Sequence, residues 1–232
     1  MTIALAFVAS DQDLNKGAIP GYTECGGCRI LASRATEVAR DRGLLAAYFE
    51  PTLESVDDAE HTKLQAKMTE ARVWLDKQTS WGNATACVHV HTNAAAMPEQ
   101  GESHTGYCYS DALPGGRLLG KAICERLSVA LGLPVQEYDY SAGGWLFDTM
   151  LRPHPSLIVE VTRHDRKADL ERLYASVEAV ASALVDGALD WAKPATAEIA
   201  ALQRQLAEVE ALNARYHAAL QATRDALVTV GF

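Results

Sequence analysis

The stretch Leu157-Ile158-Val159-Glu160-Val161 decides the fold class, because four apolar residues, three of them β-branched, enclose a single carboxylate. A short continuous apolar run of this kind is typical of a strand buried on both faces, as in a parallel sheet covered by helices. Residues 2–8, 44–49 and 84–91 are earlier runs of similar character, and residues 107–109 form a shorter one. These runs are predicted to be the strands of one sheet.

Segments in which apolar residues recur at helical spacing alternate with these runs. Helices are predicted from Ile30 to the C-cap residue Gly43, over 57–77, from Leu118 to Gly132 and over 168–191. The alternation predicts an α/β fold in which a mainly parallel, twisted sheet is flanked by helices. In such sheets ligands bind outside the carboxyl ends of the strands, an edge that Asp11, His91 and Glu160 are predicted to share.

The C-terminal residues differ in composition from the rest of the chain. Pro194 ends the predicted domain of residues 1–191, and Ala, Leu, Gln and Glu dominate afterwards. A heptad repeat places Ile199, Leu206, Asn213, Leu220 and Leu227 at one seam position and Leu202, Val209, Tyr216 and Thr223 at the other. Residues 195–232 are therefore predicted as a helix that forms a coiled coil, and with it a homo-oligomer, or that folds back on the domain's own surface.

Charge and composition exclude several classes of function. The 232 residues carry 30 Asp and Glu against 21 Lys and Arg, a formal net charge of −9, so we expect no nucleic-acid partner. The apolar run at 3–9 is far shorter than the roughly 18 residues of a membrane span, and none is predicted. It leads into Ser10 and Asp11 without a cleavage site, which predicts cytoplasmic synthesis without a signal peptide. Five cysteines, an odd number, fit a reducing compartment.

Glu160 is the strongest single candidate for chemistry, because a carboxylate buried in an apolar strand must be paired, bound to a metal or raised in pKa. His89 and His91 lie two residues apart on a predicted strand, so they face one side and either share a metal or include a core histidine. Cys25 and Cys28 have the spacing of half a zinc ribbon, but no second pair follows, and we interpret them as ordinary residues of a helix start.

Taken together, these positions resemble a known family. Residues 87–95 (CVHVHTNAA) resemble the SIHANA strand of the zinc-dependent N-acetylmuramoyl-L-alanine amidases, the amidase-3 family of bacterial autolysins and phage endolysins. Residues 157–161 are similar to the strand that ends in the family's catalytic glutamate, and Glu24 lies where the family has a zinc-binding glutamate at a helix start. Residues 106–110 and 116–134 resemble the intervening strand and helix, so the resemblance covers about residues 1–190.

The resemblance implies a Zn²⁺ site with Glu24 and His91 as ligands and Glu160 as the general base. A zinc ion held by three protein ligands lowers the pKa of a bound water to about 7, and Glu160 would accept the proton of that water. The resemblance also implies peptidoglycan as the substrate, cleaved at the amide between N-acetylmuramic acid and L-alanine. Asn93 either donates a hydrogen bond to the substrate or caps the turn at the strand end.

One departure from the family concerns the third zinc ligand. The family opens with Gly-His-Gly after the first strand, whereas residues 9–13 are ASDQD here and no histidine precedes His61. Residues 160–165 (EVTRHD) resemble a divergent branch that has Ser-x-Gln after the first strand. We therefore expect His164 to replace the missing ligand, with Asp11 or Gln12 as the alternatives.

Two interpretations of function follow. The leading one is a phage endolysin that acts at the bacterial cell wall, because a secreted autolysin would carry an export signal. The alternative is a catalytically inactive protein of the amidase fold that binds cell-wall fragments or a protein partner. The missing histidine favours the alternative, whereas retention of Glu24, His91 and Glu160 argues against it.

Overall fold

The computed structural model describes residues 2–12, 15–50, 62–94, 101–109, 115–139 and 153–193, with a few positions between 205 and 217. The chain divides into two units, Met1–Ala192 and Lys193–Phe232. No helix in the described part of the chain is long and apolar enough to cross a membrane.

Within the described residues of the first unit, six strands form one sheet. They are β1 (Ile3–Ala9), β2 (Leu45–Phe49), β3 (Ala84–Asn93), β4 (Thr105–Tyr109), β5 (Val135–Asp139) and β6 (Ser156–Arg163). Their order is β2-β1-β3-β6-β4-β5. The first four strands in this order run parallel to one another, whereas β4 is antiparallel to β6 and β5 is parallel to β4. The predicted α/β class with a mainly parallel sheet is confirmed.

Helices cover both faces of this sheet. They are α1 (Glu24–Asp41), α2 (Thr62–Ser80), α3 (Gly116–Leu131), α4 (Lys167–Ala175) and α5 (177–193). The larger core lies between one face and α1, α3, α4 and α5, and includes Val88 and Val90 of β3. On the other face α2 packs against β1 and β3 through a smaller core that contains Cys87. Because side chains alternate along a strand, His89 and His91 lie on the face opposite Val88 and Val90.

Three elements differ from the sequence prediction. α1 begins at Glu24 instead of Ile30, and its C-cap is Arg42 instead of Gly43. The apolar runs do not predict β5, because this edge strand is largely exposed and carries polar residues at most positions. The helix predicted over 168–191 is in fact two helices, since α4 ends at the C-cap residue Ser176 and α5 begins directly after it. Gly132 does end α3 as predicted, with a φ of +64° and its N–H 2.8 Å from the Ser128 carbonyl.

Most of the C-terminal heptad positions lie outside the described residues, as do residues 57–61 of the second predicted helix. The described positions between 205 and 217 are helical, and their side chains, including Val209, Leu212 and Tyr216, are exposed. The coiled coil and the homo-oligomer therefore stay predictions.

His154, in the turn before β6, joins three elements near the amino end of the central strands. Its Nδ1 lies 2.8 Å from Thr85 Oγ1 on β3, and its Nε2 lies 2.9 Å from Asp76 Oδ1 on α2. Because the imidazole is buried, His154→Ala removes two hydrogen bonds and leaves a cavity. We expect the free energy of unfolding to fall by about 2–4 kcal/mol, measured by urea denaturation followed by circular dichroism. A loss no larger than that of the exposed control His217→Ala would contradict this role.

Candidate active site

Three of the predicted site residues meet where the carboxyl ends of β3 and β6 approach the first turn of α1. Glu24 is the first residue of α1, and the preceding N-cap, Thr23, accepts a hydrogen bond from the Gly26 amide. A carboxylate at this position is favoured by the helix dipole. His91 and Glu160 are direct neighbours in the β3–β6 register. Glu24 and His91 are buried, at 2% and 5% exposure, so their charges interact with little screening by water.

Glu24 and His91 form a hydrogen-bonded ion pair. His91 Nδ1 lies 3.0 Å from Glu24 Oε1, and the second carboxylate oxygen of Glu24 accepts a hydrogen bond of 2.8 Å from the Asn15 amide. Burial opposes ionisation of both groups, but the bond and the charge that each offers the other outweigh it. The pKa of Glu24 is therefore lowered and that of His91 raised, so each group favours the charged form of the other.

The pKa of Glu160 is shifted in the opposite direction to that of Glu24. Burial raises its pKa from 4.5 to about 7, a shift that the charge of His91 reduces and that of Glu24 increases. Among the described residues, neither Glu160 Oε2 nor His91 Nε2 has a hydrogen-bond partner, although both atoms are buried. A carboxyl group with a pKa near neutrality accepts and releases protons at physiological pH, as general acid–base catalysis requires.

Comparison with known proteins identifies the fold. No protein-family model matches the sequence, and no curated protein matches it. The N-acetylmuramoyl-L-alanine amidase AmiC2 of Nostoc punctiforme superposes with a TM-score of 0.57 at 17% identity, over 82% of this chain and 97% of that one. The CwlD amidase from Clostridioides difficile, in complex with the GerS lipoprotein, gives 0.60 at 15% identity over 82% and 98%. The catalytic domain of the CD27L endolysin, which targets Clostridia difficile, gives 0.60 at 16% identity over 81% and 97%.

The chain has the fold of an N-acetylmuramoyl-L-alanine amidase. At these identities the similarity establishes the amidase fold alone. Which chemistry the fold carries in this chain depends on its own residues.

The Glu24–His91 pair fits two ligands of a zinc ion in this amidase fold. Zinc binds carboxylate oxygen and imidazole nitrogen at about 2.0–2.2 Å, so two donors of a tetrahedral site lie about 3.3 Å apart. In the structure Glu24 Oε1 and His91 Nδ1 share a proton at 3.0 Å, and His91 Nδ1 has to lose that proton before it binds a zinc ion. In the part of the chain that the structure describes, however, no three His, Cys, Asp or Glu side chains are arranged to hold a metal ion.

The predicted third ligands lie in different surroundings. His164 is buried, and its Nδ1 lies 2.8 Å from the Thr92 carbonyl and 4.0 Å from Glu24 Oε2. Since a carbonyl only accepts, Nδ1 carries the proton and Nε2 the lone pair, which is the tautomer of most metal-binding histidines. Asp11 is buried, and its charge raises the pKa of His91. Gln12 is exposed, and its side chain accepts a hydrogen bond from Asn15.

Three residues that the sequence did not predict surround the site. The side-chain amide of Asn15 donates a hydrogen bond to Glu24. On the other side, Thr92 Oγ1 lies 3.0 Å from the Tyr22 hydroxyl and 3.1 Å from His164 Nδ1. The Tyr22 ring also stacks on His164 with 6.2 Å between the centroids. Thr92 lies inside the motif of residues 87–95, so the sequence could have identified it. No spacing rule connects Asn15 with Glu24 or Tyr22 with Thr92.

His89 and the two cysteines are buried residues that are not assigned to the metal. Burial, and to a lesser degree the charge of His91, lowers the pKa of His89 to about 3, so its imidazole is neutral. Cys25 and Cys28 are buried thiols without a disulfide bond, and burial raises the pKa of Cys28 further from the range in which a thiolate forms. Asn93 lies just beyond His91, with its Nδ2 3.2 Å from the Tyr138 hydroxyl.

Proposed function

We propose that this protein is a zinc-dependent N-acetylmuramoyl-L-alanine amidase that cleaves the amide between N-acetylmuramic acid and L-alanine in peptidoglycan. The observation that carries the proposal is the Glu24–His91 pair beside Glu160, whose pKa lies near 7, on an amidase fold. Burial of an ionisable carboxyl group destabilises the folded protein, and a protein that only binds the cell wall gains nothing from such a group beside His91.

Each residue has a separate task in this proposal. Glu24 and His91 would hold the zinc ion, together with His164 or, as alternatives, Asp11 or Gln12. When bound, zinc supplies the Lewis acidity that activates water and polarises the amide carbonyl. Glu160 takes a proton from the attacking water and passes it to the leaving nitrogen, so the C–N bond breaks to give the lactyl carboxylate and the free amine of L-alanine. Thr92 and Tyr22 keep the His164 ring in one orientation.

Release of alanine amines from purified cell walls tests the proposal. The full chain, loaded with Zn²⁺, is expected to release new primary amines whose N-terminal residue is L-alanine, without producing new reducing sugar ends. A chelator is expected to lower the rate more than about 100-fold, and added zinc to restore it, because the activated water depends on the metal. Wall binding without amine release would instead support the inactive, wall-binding alternative. Chelator-insensitive release would contradict the role of zinc.

The endolysin role, with synthesis in the cytoplasm and action at the cell wall, stays a prediction from the sequence. The same fold occurs in an endolysin catalytic domain and in the AmiC2 amidase. Addition of the purified protein to bacteria with a permeabilised inner membrane tests a lytic role, which requires a fall in turbidity that Glu160→Gln does not cause.

A further inference from the structure

Tyr22 is a buried residue whose ring lies directly against the backbone of two glycines. A Cβ on Gly27 would lie 2.5 Å from both Tyr22 Cε2 and the Tyr22 hydroxyl oxygen, and a Cβ on Gly17 would lie 2.5 Å from Tyr22 Cδ1. Because non-bonded carbon atoms pack at about 3.5–4.0 Å, a side chain at either position would displace the ring. Gly17 and Gly27 therefore form a socket for Tyr22, with one glycine at each edge of the ring.

The glycine at position 27 is unfavourable for the helix itself. Relative to the N-cap Thr23, Tyr22 and Gly27 occupy the N′ and N4 positions, where two apolar side chains commonly pack against each other. Glycine at N4 destabilises a helix relative to alanine, but here it lets the Tyr22 ring lie on the helix backbone. The neighbouring Gly26 is exposed, and a Cβ there would lie 3.1 Å from Thr23 Oγ1, the end of a movable side chain. Of the two glycines in residues 25–28 (CGGC), Gly27 is thus the one that Tyr22 requires.

The seated Tyr22 ring holds one face and one edge of His164. The two rings are stacked, with 6.2 Å between the centroids and 26° between the planes. The Tyr22 hydroxyl lies 3.0 Å from Thr92 Oγ1, which together with the Thr92 carbonyl contacts His164 Nδ1. The His164 backbone is held as well, since its amide donates to the Asn93 carbonyl and its carbonyl accepts from the Ala18 amide. These contacts fix Nδ1 as the protonated nitrogen and leave Nε2 with the lone pair.

The socket is built from the connection between β1 and α1, the segment in which the family's Gly-His-Gly is missing. This connection has no histidine, but it supplies Gly17 and Tyr22 to the histidine that follows β6. We propose that Gly17 and Gly27 seat Tyr22 against His164, and that Tyr22 thereby keeps His164 Nε2 as the donor nitrogen for a metal ion. Gly27 and Tyr22 are then positioning residues that act through His164. The consequence for metal binding rests on the proposed zinc site.

The imidazole signals of the metal-free protein test the socket without relying on zinc. Long-range ¹H–¹⁵N NMR spectra distinguish the two imidazole tautomers, and the His164 signals are those that His164→Ala removes. The wild type is expected to show the Nδ1–H tautomer alone for this ring. Gly27→Ala, which displaces the Tyr22 ring, and Tyr22→Leu, which removes it, are expected to shift these signals and to add the Nε2–H tautomer. Gly26→Ala, the matched control one residue away, is expected to leave them unchanged.

Zinc affinity tests whether the two positioning residues act through His164. In competition with a chromophoric chelator, Gly27→Ala and Tyr22→Leu are each expected to bind Zn²⁺ at least about tenfold more weakly than the wild type, as when other residues that support a metal ligand are removed. Added to His164→Ala, neither substitution is expected to cause a further loss, because residues that act through one another are not additive. Gly27→Ala is likewise expected to cause no further loss when added to Tyr22→Leu.

The outcomes separate the socket from the proposed function. Wild-type His164 signals in both variants, wild-type zinc affinity in both, or a full loss that persists in the His164→Ala background would overturn the socket, even if the protein releases alanine amines. Absence of zinc binding by the wild type would reject the zinc amidase, whereas Tyr22-dependent His164 signals in that protein would retain the socket. Circular dichroism identifies variants that misfold, and Tyr22→Phe, which loses only the hydroxyl, replaces them with the same expected change of the His164 signals.

Discussion

Glu160→Gln is expected to lower kcat for amine release by about 10²–10⁴-fold, the usual contribution of a general acid–base group. Glutamine keeps the shape of the side chain but neither accepts the proton of the attacking water nor delivers it to the leaving nitrogen. Zinc content is expected to stay at the wild-type level, because Glu24 and His91 are unchanged. The measurement is the rate of L-alanine amine release at saturating substrate, with Glu125→Gln, an exposed glutamate on α3, as the control.

The same substitution is expected to stabilise the metal-free protein at alkaline pH. The folded pKa of Glu160 is about 7 against 4.5 for the ordinary group, so the folded state binds more protons than the unfolded state between these values. Stability therefore falls as pH rises through this window, by roughly 3 kcal/mol in all, and the loss is complete above the folded pKa. Glutamine has no such titration. Urea denaturation of chelator-treated protein at pH 5 and pH 8 measures the difference.

An active Glu160→Gln enzyme would exclude Glu160 as the proton carrier. If the variant and the wild type have the same free energy of unfolding at pH 8, ionised Glu160 does not destabilise the folded protein, and its pKa is not raised by burial. Reduced activity combined with loss of zinc would assign Glu160 to metal binding instead.

Glu24→Gln and His91→Ala are each expected to lower zinc affinity more than about 100-fold, and activity with it, because each removes a donor of the pair 3.0 Å apart. Even residues that only support metal ligands contribute 10–100-fold in affinity. The measurement is equilibrium competition with a chromophoric chelator. His89→Ala is the matched control, since it removes a neighbouring buried imidazole on the same strand that is not assigned to the metal. Full zinc affinity in either site variant would contradict the proposed ligand set.

The third ligand is decided by the same competition assay. His164→Ala is expected to lower zinc affinity to a similar extent. The ring donates its Nδ1 proton to the Thr92 carbonyl, which leaves Nε2 as the nitrogen for a metal ion. Undiminished zinc in this variant would reject His164 and transfer the role to Asp11 or Gln12, which Asp11→Asn and Gln12→Ala then distinguish.

The sequence predicted the parts of the molecule that have a strong local signal. The apolar runs are buried strands because burial on both faces requires continuous apolar residues, and the carboxyl-end rule for open sheets places His91 and Glu160 together. The family resemblance added Glu24, whose position at a helix start the structure reproduces. The positions of these three residues therefore followed from sequence.

Other features have no local signal. β5 is exposed at the sheet edge, so no apolar run marks it, and with it Gln136 and Tyr138, two residues of the cavity beside Asn93, were missed. The bond from Asn15 to Glu24 depends on how a loop crosses the end of α1, which spacing does not reveal. The break at Ser176 interrupts a helical pattern whose apolar residues continue on both sides. Tertiary contacts determine such features, and periodicity does not encode them.

Anomalous X-ray scattering at the zinc edge, from crystals of the full chain soaked in Zn²⁺, tests the central claim most directly. The account predicts one peak at about 2.0–2.2 Å from a Glu24 carboxylate oxygen and from a His91 ring nitrogen. Glu160 should lie beside the ion without binding it. A peak elsewhere on the chain, or no peak under conditions in which zinc saturates the solution, would contradict the assignment of this site as a zinc amidase centre.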